Sequence, residues 1–189
     1  MSWLDPQTLT AAYLVFTALA CAWTWRPRRA SRVLTKAERH EGHIADSLAV
    51  LRRARRGEVD MASLRMLHPH LFEEVVLSAL SRRGHAISRS DRYTGDGGAD
   101  GEVRLRGLCR RRFLVQSKRY KGAIRSEHID AFRQLCRAQR CRGLFVHTGT
   151  MGPKAREADA RARRVVVVED EALLRLVRGR RTRVGGVRL

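Results

Sequence analysis

Residues 96–118 constrain this chain more than any other stretch. They read Asp96-Gly97-Gly98-Ala99-Asp100-Gly101, then Glu102-Val103-Arg104-Leu105, a break at Arg106-Gly107-Leu108, then Phe113-Leu114-Val115-Gln116-Ser117-Lys118. The first part alternates polar and apolar residues through Val103 and Leu105, and the second is an apolar run bounded by charge. Gly107 supplies a flexible turn between them, so the pattern predicts a β-hairpin. Strand side chains alternate faces, which puts Gln116 and Lys118 on the same side. Asp100 enters the neighbouring strand from a glycine-rich bend. A carboxylate, an amide oxygen and an ammonium can therefore meet at one point. A hard cation such as Mg²⁺ takes the first two as oxygen ligands. An ammonium beside it steadies a phosphate oxygen or the attacking water.

Lys118 stands out because lysine is scarce. The chain has 39 Lys plus Arg, of which only Lys36, Lys118, Lys121 and Lys154 are lysine. A lysine two residues after Gln116 is a specific choice in so arginine-rich a chain, since Lys is a compact point charge with a movable pKa and Arg a planar fork. The bland reading of Lys118 is a solvated charge on an edge strand.

The chain of 189 residues suits one domain of ordinary size with extensions. A formal net charge of +20 favours a polyanionic partner, nucleic acid or an anionic membrane surface. Aromatic residues are 6% of the chain, too few for a platform that stacks single-stranded bases. Cys21, Cys109, Cys136 and Cys141 form no Cys-Xaa-Xaa-Cys pair, which speaks against a zinc site and for reduced thiols.

Residues 9–25 carry no charge, with Trp3 before the run and Trp23 and Trp25 at its end. Arg26, Arg28, Arg29, Arg32 and Lys36 follow at once, and only Asp5 precedes. A short spanning helix with a cytoplasmic C-terminal side is the expectation. No cation precedes the run as a cleaved signal peptide would require. Residues 26–67 read as a basic helical linker, with Ile44, Leu48 and Leu51 at helical spacing and arginines at 52, 53, 55 and 56. Phe72, Val75, Val76, Ala79 and Leu80 predict a helix over 71–83, with Glu73 off its apolar stripe in the first turn. There Glu73 is at least favourable to the helix dipole; Glu74 is its neighbour and competitor. Asp96 reads as a turn-shaping residue, and His147, at the end of the apolar run 143–147, as a packed one. Pro153 opens a further helix. Val165 to Val168 predicts a buried strand, and residues 170–178 a closing helix. The tail 179–189, basic and with two glycines, reads as disordered.

Phe72-Glu73, Gly84-His85, Asp96 to Gly101 and Gln116-Ser117-Lys118-Arg119-Tyr120, in that order, resemble the Mrr-type restriction endonuclease domain of the PD-(D/E)XK nuclease superfamily. Gly143 to Gly149 and the alanine-rich helix after it also fit, so the resemblance covers about residues 68–178. Two departures are His85 where the family usually carries Tyr or Phe, and Glu169-Asp170-Glu171 where it often has an Asp-Gly turn.

The resemblance implies an α/β restriction-endonuclease-like core, a mixed sheet flanked by helices, here preceded by a single transmembrane helix. The domain plan is an anchor at 1–25, a linker at 26–67, the nuclease at 68–178 and a tail at 179–189. It implies a Mg²⁺-dependent DNA endonuclease directed at foreign or modified DNA. Asp100 and the Gln116 side-chain oxygen would hold the metal with the Ser117 backbone carbonyl. Lys118 would position or activate the water, and Glu73 would contribute a second carboxylate. Duplex DNA is the expected partner, with the membrane reached through residues 9–25 and the nuclease domain in the cytoplasm. Cutting both strands needs two centres, so a transient homodimer on DNA is the expected assembly. The rival readings are a repair or junction-type nuclease and a catalytically silent, membrane-tethered DNA-binding module.

Overall fold

The computed structural model describes residues 36–90, 98–106, 111–161 and 164–189. The uncharged run at 9–25, Asp96 and the expected turn at Gly107 lie outside the described residues. Two compact units divide the chain, Met1–Lys36 and Ala37–Leu189, and everything described below belongs to the second apart from the first residue of the opening helix.

The elements are α1 (Lys36–Arg55), α2 (Met61–Met66), α3 (Pro69–Arg82), β1 (Ala86–Arg89), β2 (Gly101–Arg104), β3 (Arg112–Lys118), α4 (Ser126–Ala138), β4 (Arg142–His147), α5 (Pro153–Arg161), β5 (Val165–Val168), α6 (Asp170–Val177), β6 (Arg183–Val184) and β7 (Val187–Arg188). The main sheet has the order β1-β2-β3-β4-β5. β1, β2 and β3 pair antiparallel, and β3, β4 and β5 pair parallel. This is the mixed α/β sheet that the sequence pattern implied, with β3 at its centre.

The alternation along β3 separates two cores. Phe113 and Val115 point into one with Val103, Val146, Phe72 and Leu80; Leu114 points into the other with Phe145, Ile129 and Phe132. Helices therefore cover both faces, and β3 is buried from Phe113 to Ser117. Gly101 answers to the crowding between β1 and β2: a Cβ there would sit 2.7 Å from the Ser88 carbonyl oxygen. Only glycine lets Asp100 lead into the strand at that spacing.

Two segments depart from the sequence reading. The stretch expected to be a linker supplies core: Leu51, Ala54, Val59 and Leu64 are buried with α3, and the Ser47 hydroxyl donates to Ser78 Oγ at 2.9 Å. The helical spacing of Ile44, Leu48 and Leu51 marks a packing face, so the compact unit begins well before residue 68. The tail is also ordered. Gly185 (φ +51°) and Gly186 (φ +74°) close a two-residue turn between β6 and β7, the conformation in which paired glycines favour a hairpin. Val187 and Leu189 face the core while Arg183 and Arg188 face out.

Asp170, one of the departures from the family pattern, adopts φ +44° as the first residue of α6. A left-handed residue costs an L side chain something that glycine does not incur. Asp170→Gly should therefore keep or raise stability, by up to about 1 kcal/mol, read as the midpoint of denaturant unfolding.

Candidate active site

The register Gly101↔Val115 continues to bring Asp100 beside Gln116. The Asp100 N–H donates to the Val115 carbonyl at 2.8 Å, and its carboxylate accepts from the Ser117 N–H. Gln116 is buried, and its Nε2 donates to the Gly98 carbonyl at 3.1 Å. That bond ties the glycine-rich bend to β3 and turns the amide oxygen away from Gly98. Lys118, next on the same face, is half-buried where β3 ends.

Glu73 approaches from α3. Because the helix starts at Pro69, Glu73 lies in its second turn, where a dipole role is weaker than at the first. Its Oε2 lies 3.1 Å from His70 Nδ1. The charges meet at Asp100, whose carboxyl is pushed up to about 7, first by burial and then by Glu73. The Ser117 N–H and the Lys118 ammonium pull the other way. Glu73, Asp100, Gln116, Ser117 and Lys118 thus share one neighbourhood. Glu74 does not: it is 4% exposed, accepts Arg89 Nη2 at 2.6 Å and Nε at 3.1 Å, and accepts from Ser78 Oγ at 2.9 Å. It is a buried link between α3 and β1.

Several contacts around Lys118 had no sequence signal of their own, although Arg119 and Tyr120 lie in the motif quoted above. His128, on the first turns of α4, pairs through Nδ1 with the Tyr120 hydroxyl. Burial, then Lys118 and Arg125, hold its imidazole below the ordinary range, and burial raises the Tyr120 hydroxyl to about 12. Both are neutral, and the imidazole tautomer sets which of the two donates. The loop and helix turn between the two hid their pairing. Arg119 Nη1 donates to the Arg65 carbonyl at 2.8 Å, and Arg65 Nε to the Thr148 carbonyl at 2.7 Å. These two stitch α2 to the ends of β3 and β4. The rings of His43, His68 and His70 lie 5.4 to 6.4 Å apart beside Glu73.

His147 is wholly buried at the end of β4, and burial lowers its imidazole to about 4. It is a neutral packed residue, not a proton acceptor for a substrate. His85 is also buried, and its Nδ1 accepts the Arg106 N–H at 3.0 Å, so it tethers backbone.

No trio of His, Cys, Asp and Glu among the described residues forms a metal cage. The donor set is of another kind: two carboxylates, an amide oxygen and a backbone carbonyl, all oxygen, which suits a hard divalent cation. The raised Asp100 fits as well, because two carboxylates crowded in a buried place are relieved by a positive ion.

The profile of the Mrr catalytic domain, a restriction endonuclease family, matches residues 64–177. The chain belongs to the Mrr restriction-endonuclease family. One curated relative is the type IV methyl-directed restriction enzyme EcoKMrr of Escherichia coli (strain K12), 31% identical over 142 residues. The match takes in 72% of this chain and 46% of the relative, so the chain spans about half the length of the curated protein it matches. No solved structure matches the chain. The matched residues take in Asp100 and the Gln116-Ser117-Lys118 strand described above.

Proposed function

We propose that the chain is a membrane-tethered, Mg²⁺-dependent endonuclease that cuts duplex DNA in defence against foreign or modified DNA. The observation that carries this reading is Asp100: a buried carboxyl held at about 7 by burial and Glu73, with Gln116 and Lys118 beside it. Asp100, the Gln116 side-chain oxygen and the Ser117 carbonyl would hold the cation, with Glu73 reaching it through water or at a second position. When bound, the cation supplies Lewis-acid stabilisation of the scissile phosphate. Lys118 orients the water and meets the charge that develops on phosphorus. The Tyr120–His128 pair lies near enough to Lys118 for its charge to act on the His128 imidazole. The relative's description as methyl-directed makes methylated DNA the first substrate to try.

The anchor is assigned to residues 9–25, from their lack of charge and the cations that follow. No helix among the described residues is long and apolar enough to cross a membrane. A transient homodimer on DNA would provide the second centre for double-strand cleavage.

The experiment is incubation of the full chain, in mild detergent, with methylated and unmethylated plasmid, with Mg²⁺ and with chelator. Cleavage of methylated plasmid only when Mg²⁺ is present supports the reading, and cleavage undiminished by chelator contradicts it. Fractionation of the cell lysate without detergent tests the tether, which fails if the full chain stays in the soluble fraction.

A further inference from the structure

At the far end of α3 from Glu73, arginines collect without carboxylate partners among the described residues; Arg83 and Arg175 donate to backbone oxygens only. Arg55, Arg82, Arg83 and Arg181 line a cleft of about 280 Å³ floored by Leu176 and Val177. Arg181 also joins Arg175, Arg183 and Arg188 around a second, adjoining space of about 550 Å³. No carboxylate among the described residues lines either space. None of these seven arginines is in an ion pair with a described carboxylate, whereas arginines elsewhere on the surface are: Arg112 with Glu102, Arg53 and Arg56 with Glu58, Arg161 with Glu157.

The hairpin sharpens the point. Thr182 and Leu189 exchange both backbone hydrogen bonds, so Arg183 and Arg188 form the next, non-hydrogen-bonded pair. Side chains stand closest in such pairs, and like charges there oppose folding. The fold keeps two arginines face to face on a two-strand ribbon, next to two more. An anion is what that arrangement lacks.

We propose that this cleft holds the sugar–phosphate backbone of a second stretch of duplex DNA, separate from the one at Asp100; the proposal rests on the reading of the chain as a DNA nuclease. Guanidinium forks match phosphate oxygens two at a time. The recessed, concave shape suits a backbone ridge. A membrane surface fits less well, because interfacial elements add buried apolar area to their charge, and the exposed large apolar side chain among the described residues, Met66, is on α2. Glu73 and Arg82 are nine residues apart on one helix, roughly 14 Å along its axis. That offset is roughly four base-pair steps of 3.4 Å, so the cleft would hold backbone flanking the scissile phosphate and keep the enzyme on longer substrates.

The test uses the full chain in chelator, so that binding is read without cleavage. Arg83 is left intact because it donates to the Gly179 and Leu189 carbonyls. A fluorescent duplex long enough to span both regions is titrated with wild type and with Arg183→Gln/Arg188→Gln. The double variant should lose about tenfold in affinity and show a shallower salt dependence, by roughly two phosphate contacts. Free of DNA it should unfold at the same or a higher temperature, since two opposed like charges are gone. Arg181→Glu, outside the ribbon pair, should reproduce the affinity loss. Wild-type affinity and salt slope in these variants would overturn the proposal. So would loss of binding to phosphatidylglycerol vesicles with DNA affinity unchanged, which would assign the cleft to lipid. A wild-type chain that binds no DNA overturns the nuclease reading too, whereas intact binding with failed cleavage bears on the Asp100 centre alone.

Discussion

Lys118→Ala should lower DNA cleavage by about 10²–10³-fold, the loss that follows removal of one preorganised donor facing a transition-state oxygen. Lys118 ends β3, the most buried strand of the antiparallel half, and its register partner is His147 on β4. Its position is fixed by the sheet, so truncation removes the ammonium without moving the strand. DNA affinity and unfolding temperature should stay close to wild type. Lys118→Arg should be nearly as poor, because a planar fork cannot occupy the place of a compact ammonium. The measurement is single-turnover cleavage with saturating enzyme. Cleavage by Lys118→Ala within a few-fold of wild type would remove Lys118 from the centre.

The second large effect separates two adjacent glutamates. Glu74 is buried and forked by Arg89, with Ser78 filling a further acceptor position. Removing one partner of a buried ion pair strands the other, at about 3–5 kcal/mol. Arg89 keeps some solvent, its side chain being 28% exposed, so the low end of that range applies. Glu74→Ala should then lower the unfolding midpoint by roughly 6–12 °C for a unit of this size. Glu73→Ala should do the reverse on both counts. Stability should change by less than about 1 kcal/mol, since a like charge beside Asp100 is removed. Cleavage should fall by roughly tenfold or more, as for the loss of a group that supports metal ligands. Equal destabilisation by the two substitutions would contradict the division of roles.

Much of the centre was legible because it is local. Asp100, Gln116 and Lys118 lie on one hairpin, and the period of two alone aligns the last two. The succession of helices and strands after residue 70 followed from local signals taken in turn, whereas the order of strands in the sheet did not. What stayed hidden depends on contacts between distant segments. Arg89 is fifteen residues from Glu74, and nothing in either stretch announces their pairing. His128 reaches Tyr120 across a loop and a helix turn. The tail failed for another reason: its glycines have the composition of a linker and the φ values of a turn, and only the inward Val187 and Leu189 tell the two apart. In the stretch 26–67 abundant charge masked the apolar face of α1, whose Leu51 and Ala54 join the core.

The most direct measurement is Asp100→Asn, followed for both cleavage and stability. In the folded protein the carboxyl stands at about 7 against an ordinary 3.8. The folded state thus holds the proton more tightly. Its stabilising contribution is full below the ordinary value and is lost as pH rises through about 7. At pH 8, in chelator, wild type carries a buried charge that Asn does not. Asp100→Asn should accordingly be more stable than wild type there, on the order of a few kcal/mol, with the difference vanishing towards pH 4. The same variant should not cut plasmid at any Mg²⁺ concentration. A gain in stability above pH 7 together with complete loss of Mg²⁺-dependent cleavage is the predicted result. Wild-type cleavage by Asp100→Asn in Mg²⁺ would contradict the account at its centre.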